Sequence, residues 1–255
     1  MTAPSYDGAA RSVAPLLHLL LPACCLGCGA PLPVRAPLGL CVPCRGRLAP
    51  LPATRCAACA RRLDAFALPA GFRCGRCRER PPAWDRLLAG WSYEPPLDAV
   101  VRGLKFGRLD YLGEHLAAAL AAALAEELAA TLPPGALVTA VPLHWRRRLA
   151  RGYNQAERIT RPLAARLGLP CRALLRRRRA TPPQSGLPRG ERLANLRRAF
   201  APRWGATAAV RGRSILLVDD VATTGATLEA AAAALKTAGA AAVIACVAAR
   251  TPEGS

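Results

Sequence analysis

The sequence predicts an α/β fold, a parallel sheet with helices on both faces, preceded by a small cysteine-rich module. Two observations carry this prediction. Past residue 84, short apolar runs alternate with charged loops and Ala/Leu-rich stretches, the rhythm of strand, loop and helix. Before it, nine of the 11 cysteines crowd into Cys24–Cys77 at regular spacing. A chain of 255 residues with 52% apolar types has material for one large or two ordinary domains with a buried core. Pro81-Pro82 marks the seam, giving expected units of 14–80 and 84–251.

The cysteines come first in chain order. They form Cys25-x2-Cys28 and Cys41-x2-Cys44, then Cys56-x2-Cys59 and Cys74-x2-Cys77. Two residues between thiolates let a tight turn present both sulfurs to one tetrahedral ion, and two such turns complete a site. A disulfide framework needs an oxidising compartment that nothing else in the chain supports. A redox CxxC pair would occur once, opening a helix after a strand. The reading is two structural zinc sites made by these eight cysteines. Sequence-order pairing is the simplest grouping, and an interleaved cross-brace uses the same spacing. Four cysteines per site leave no open position for a catalytic water. Cys24 is a spare, and Cys171 and Cys246 read as buried thiols.

No apolar stretch approaches the ~18 residues that a membrane span needs. Val13–Leu21 is interrupted by Pro15 and bounded by Pro22, and reads as a short amphipathic helix. Leu21-Pro22-Ala23-Cys24 loosely resembles a lipoprotein cleavage site, but only Arg11 precedes it, beside Asp7. The expected location is cytoplasmic.

In the second unit, Leu116–Leu132 reads as a helix ended by Pro133-Pro134-Gly135, and Ala136–Val141 as a buried strand. Asn154–Leu167 is helical and Arg176–Arg198 basic and turn-rich. Ser214–Val218 is a second buried strand, Thr227–Thr237 a helix stopped by Gly239, and Ala241–Val247 a final strand. Ligands in such sheets bind where strands end and helices begin, so the loops after Val141 and Val218 are the places to look.

The second loop is the more informative. Asp219 and Asp220 close an apolar strand, and Thr223-Thr224-Gly225-Ala226-Thr227 opens a helix. Amides at that helix start, with three threonine hydroxyls, suit a phosphate dianion. Gly225 permits close backbone approach. The acids suit vicinal hydroxyls or a magnesium ion beside the phosphate, and their position predicts a place at the surface of a cleft. The lysine of the nucleotide-binding Gly-x4-Gly-Lys loop is absent.

This stretch resembles the phosphoribosyl-pyrophosphate motif of type I phosphoribosyltransferases, and residues 14–250 resemble the ComF family with its double zinc ribbon. Three further blocks support the resemblance: Leu97-x3-Val101-x2-Leu104-Lys105-Phe106, Val141-Pro-Leu-x3-Arg147-x3-Arg151-Gly152-Tyr153-Asn154-Gln155, and Thr181-x2-Gln184-x2-Leu187-x4-Arg192-x2-Asn195-x3-Ala199-Phe200. Ala222 stands where many relatives carry a bulkier residue, and Tyr153 where phenylalanine is common. The resemblance implies a type I phosphoribosyltransferase-like sheet in which Asp219 and Asp220 are the catalytic acids. It implies that Thr223, Thr224, Gly225, Ala226 and Thr227 bind a ribose phosphate, with magnesium. Arg147 and Arg151, a helical turn apart, would grip pyrophosphate. Lys105 is a further phosphate ligand, and Arg189 and Arg192 would arrive on a mobile loop.

Charge adds a second function class. The chain carries 36 basic and 16 acidic residues, and two of the basic ones are lysine. Residues 144–213 alone hold 19 basic and 2 acidic groups, whereas residues 1–90 hold 12 and 4. Genome composition explains an Arg-rich chain but not this concentration, so an anionic partner is expected. The family resemblance links the chain with DNA uptake, implying single-stranded DNA and other DNA-uptake proteins as partners. Aromatic residues are 5% of the chain, so base-stacking positions in the basic loops reduce to Trp145 and Tyr153. Arg176–Arg179 is either a solvated turn or a polyanion contact. Phosphoribosyl transfer to an unidentified acceptor and non-catalytic DNA handling are the two readings.

Overall fold

The structure, a computed structural model, describes residues 23–33, 36–65, 67–178 and 199–252. Val13–Leu21, Arg189, Arg192 and most of the basic 176–198 segment lie outside them. Four parallel strands form the central sheet: β1 (Arg86–Ser92), β2 (Leu137–Ala140), β5 (Ser214–Ala222) and β6 (Ala242–Arg250), in the spatial order β1-β6-β5-β2. Alternation along β5 sends Leu216 and Val218 to one face and Ile215 and Leu217 to the other, and all four are fully buried. A strand covered on both faces reads as an uninterrupted apolar run, which is why it is visible in the sequence.

On the first face pack α3 (Leu97–Phe106), α4 (Leu112–Ala123), α5 (Ala125–Thr131) and α7 (Gln155–Arg166). Helix α3 buries Leu97, Val100, Val101 and Leu104, a stripe at i, i+3, i+4 and i+7. The expected single helix 116–132 is two, broken at Leu124, where φ −114 and ψ 17 leave the helical region. Across that break Leu120, Leu124 and Leu128 all remain in the core. Helices α4 and α7 touch at Gly113, where a Cβ would lie 2.5 Å from the Arg158 Cβ. Asn154 caps α7 by accepting from the Ala156 N–H, and its own Nδ2 donates to the Val141 carbonyl. On the second face lie α8 (Ala206–Val210), α9 (Ala226–Thr237) and a two-stranded antiparallel ribbon, β3 (Leu175–Arg177) with β4 (Phe200–Pro202).

Three further sequence expectations change. Strand β5 does not stop at Val218 but continues to Ala222, because β6 is equally long and pairs with it through Ala222–Arg250. Arg176 and Arg177 lie in a strand, not a turn. Cys171 is exposed, while Cys246 is fully buried as expected. Strand β1 has only Leu87–Ala89 as its contiguous apolar signal and was not expected.

The cysteine module splits its packing. Cys25, Leu32, Leu38, Leu40 and Cys44 join the same core as α3 and α4. Cys56, Ala58, Cys74 and Cys77 form a small cluster of their own. Among the described residues no helix is long and apolar enough to cross a membrane.

Candidate functional site

The eight cysteines fall into two groups in sequence order, Cys25/Cys28/Cys41/Cys44 and Cys56/Cys59/Cys74/Cys77, each with sulfurs within 4.8 Å of one another. That grouping decides between sequential pairing and a cross-brace. Sulfurs at tetrahedral corners ~2.3 Å from zinc stand about 3.8 Å apart; Cys28–Cys41 and Cys59–Cys74 are 3.7 and 3.9 Å apart. The second pair of each group sits at the start of a short helix, α1 (Val42–Gly46) or α2 (Gly75–Glu79). The same contact recurs in both: Cys41 N–H donates to the Cys25 sulfur and Cys74 N–H to the Cys56 sulfur, each at 3.3 Å. These are two closed, structural zinc sites.

The second centre lies at the carboxyl end of β5. Asp219 and Asp220 point to opposite faces of the strand and are 9% and 4% exposed, so they are buried rather than at a cleft surface. The strand extension explains this, since pairing to β6 covers the chain past both acids. Lys105, from α3, pairs with Asp220 Oδ1 at 3.2 Å. Asp220 Oδ2 is buried without a hydrogen-bond partner. A buried acceptor left unmet costs about 1–3 kcal/mol, so it stands ready for a donor that a ligand brings. Asp219 accepts from the Asp220 N–H at 2.9 Å. Burial and then the Asp220 charge push its carboxyl up to about 8, against the pull of that N–H, Lys105 and Arg177.

The loop after β5 runs as expected. Thr223 and Thr224 are exposed, Gly225 has φ +77, and Thr224 Oγ1 accepts from the Ala226 N–H at the start of α9. Thr227 lies in the first turn, half-buried. Helix α6 (Trp145–Arg151) carries Arg147 and Arg151. Arg151 lies over the Phe106 ring at 4.8 Å and donates to Gln155 Oε1 at 3.2 Å. Burial disfavours the charged form of Arg151 and of Arg177; the Asp220 charge opposes this at Arg151, and at Arg177 Arg147 adds to it while Asp219 opposes it. The structure therefore gathers Lys105, Arg151 and Arg177 around the acids, with Arg147 exposed at the edge. Arg177, held over Phe200 at 5.3 Å, is the addition that sequence reasoning missed. Its signal was hidden in a run of four arginines. Tyr153 is anchored by its hydroxyl, which donates to the Leu104 carbonyl at 2.5 Å, and Arg158 lies over its ring at 5.5 Å.

A raised Asp219 pKa has a consequence that can be measured. A carboxyl that holds its proton more tightly when folded stabilises the fold in acid, and that stability is lost as pH rises from about 4 toward about 8. Asp219→Asn stays neutral throughout. The variant should therefore unfold several degrees above wild type at pH 8.5 and converge on it near pH 4, at ~2–4 °C per kcal/mol for a chain of this size. Thermal scans of both proteins at several pH values check it; a gap that does not widen with pH would refute it.

Comparison with known proteins places these features. Residues 16–78 match the double zinc ribbon domain and residues 154–255 the phosphoribosyl transferase domain. Over 217 residues the chain is 37% identical to the DNA utilization protein YhgH of Salmonella typhi, covering 80% of this chain and 94% of that protein. It is 34% identical over 231 residues to YhgH of Escherichia coli K12, covering 88% and 96%. Competence protein F of Haemophilus influenzae is 30% identical over 208 residues, covering 80% and 86%.

Proposed function

The chain belongs to the ComF family, and from that premise we propose that it binds phosphoribosyl pyrophosphate with magnesium and transfers ribose phosphate to an acceptor nucleophile. The observation that carries this reading is the buried acid pair beside the Thr223–Thr227 loop, with Asp220 Oδ2 unmet. Hard carboxylate oxygens and an orphaned acceptor fit vicinal ribose hydroxyls or magnesium-bound water. Asp219 and Asp220 would hold the metal, which when bound neutralises pyrophosphate charge. The loop amides and threonine hydroxyls hold the 5-phosphate. As the anomeric C–O bond breaks, negative charge collects on the departing pyrophosphate and the ribose turns oxocarbenium-like. Arg147, Arg151 and Lys105 face the departing charge, and Arg192 joins them in this proposal. The nucleophile then forms the new bond at the anomeric carbon. Thiolate zinc ligands suit a reducing compartment, which supports a cytoplasmic setting. In this proposal 14–80 and 84–251 are the two functional units.

Calorimetric titration of the zinc-loaded chain with phosphoribosyl pyrophosphate and magnesium tests the reading. Saturable binding that requires magnesium is expected. No heat at millimolar ligand would overturn it.

A second reading, DNA handling, rests on a separate observation. Helix α6 buries none of its side chains, and Trp145 and Leu149 are 58% and 75% exposed beside Arg146 and Arg148. Arg146 lies over the Trp145 ring at 5.3 Å, and a cavity of about 200 Å³ adjoins, lined by Arg148, Tyr153, Arg158 and Arg161 and by one acid, Glu157, which pairs with Arg148 at 3.6 Å. Basic groups interleaved with an exposed indole suit a single strand. The names of the relatives fit this use. Binding of a single-stranded oligonucleotide should then weaken steeply with salt. Replacing Arg146 and Arg148 by glutamine should lower the log–log salt slope by about 1.4, at ~0.7 per phosphate contact. An unchanged slope, or a sequence-specific footprint, would count against it.

A further inference from the structure

Trp84 and Arg250 tie the second zinc site to the phosphate loop, and both are almost wholly buried, at 7% and 5% exposure. The turn Cys56–Cys59 exposes two carbonyls to them. The Ala58 carbonyl accepts from Trp84 Nε1 at 2.8 Å and from the Leu87 N–H, in β1, at 3.0 Å. The Cys59 carbonyl accepts from Arg250 Nε at 3.2 Å. From there each side chain reaches the opposite end of the site. The Trp84 ring lies against Gly225, where a Cβ would stand 2.9 Å from its Cη2. Arg250 Nη1 donates to the Ala222 carbonyl at 3.0 Å, to the Thr223 carbonyl, and to Thr251 at 3.1 Å. A third tie runs beside them, from the Ala83 N–H to Glu229 Oε2 on α9.

We infer that Trp84 and Arg250 are positioning residues through which the metal at Cys56, Cys59, Cys74 and Cys77 sets the shape of the phosphate loop. The physical chain is short. Zinc holds both ends of the Cys56–Cys59 turn, and the turn aims its carbonyls. Those carbonyls orient the indole and guanidinium that define the carbonyl track of Ala222–Thr223 and the floor under Gly225. Burial makes each contact costly to lose, because an unmet indole N–H or guanidinium has no water to turn to. Among the described residues the first zinc site has no such line to the loop; it packs on α3 and α4. Binding free energies are reciprocal, so a ligand that needs the ordered loop must in turn tighten the hold on the second zinc, beyond the protection that both sites gain from a stabilised fold.

This inference rests on the proposal that the loop binds the ribose phosphate, and the test separates the two. The zinc-loaded full chain is alkylated in the presence and absence of phosphoribosyl pyrophosphate with magnesium, and each cysteine's modification rate is read by peptide mass spectrometry. Saturating ligand should slow alkylation of Cys56, Cys59, Cys74 and Cys77 at least threefold more than that of Cys25, Cys28, Cys41 and Cys44. Trp84→Phe keeps a ring against Gly225 but removes the N–H to Ala58, and Arg250→Lys keeps the charge but removes the fork. Both should retain two zinc ions, bind the ligand at least tenfold more weakly, and lose the selective protection. Ligand binding with equal protection of both clusters, or with none, overturns the linkage and leaves the site standing. So does wild-type affinity in the variants. Absence of any ligand binding by the wild type overturns the site and the linkage together. Should a variant fail to fold, the wild-type protection pattern alone decides.

Discussion

Stripping both zinc ions should unfold the whole chain, not its amino-terminal part alone. The first site is built into the main core: Cys25 and Cys44 are buried with Leu32, Leu38 and Leu40 against Leu97, Val100, Leu104 and Leu112. Gly27, inside the first CxxC turn, lies so close to Pro96 that a Cβ would stand 2.9 Å from the proline's Cβ. Structural zinc sites of this kind contribute ~10–16 kcal/mol at neutral pH in isolated fingers, which equals or exceeds the ~5–15 kcal/mol that holds a typical domain. The purified protein should therefore carry two zinc ions, and chelation under reducing conditions should abolish its cooperative thermal transition and most of its secondary structure. A chelated chain that still unfolds cooperatively, with its helical and sheet signal intact, would show that the first site is an appendage. Absence of zinc, with most cysteines oxidised, would refute the sites altogether.

Replacing Asp219 and Asp220 together by asparagine should weaken binding of phosphoribosyl pyrophosphate and magnesium by a hundredfold or more. Each lost charge-assisted contact is worth ~1.5–3 kcal/mol, and ~1.4 kcal/mol is tenfold in affinity. The effect on folding divides between the two positions. Asp219→Asn relieves a buried carboxyl whose ionisation the fold resists. Asp220→Asn removes the partner of Lys105, which stands 3.2 Å away and is mostly buried, and so costs stability. The opposed terms should leave the double variant within about 2 kcal/mol of wild type at neutral pH. Calorimetric titration and thermal unfolding of the same sample decide the matter. Wild-type affinity in a well-folded double variant would make the acids bystanders.

What the sequence determined by itself is local. The CxxC turns, the apolar runs Ile215–Val218 and Val243–Val247, the Asn154 cap and the Thr223–Thr227 loop are each encoded within a few residues, where spacing alone dictates the chemistry. Even the helix bounds 154–167 are legible, because a capping side chain opens them and Gly168, at φ +64, follows. The tertiary structure decided everything that depends on what a residue meets across the fold. Asp219 and Asp220 read as acids at the surface of a cleft until β6 proves long enough to cover them. Arg177 is one arginine in a run of four until the β3–β4 ribbon turns it toward Asp219. Trp84 and Arg250 carry no local pattern at all; their partners in the Cys56–Cys59 turn lie 26 and 191 residues away in the chain. Burial and electrostatics are sums over neighbours in space, so their consequences for pKa, pairing and linkage were set only when the sheet brought those neighbours together.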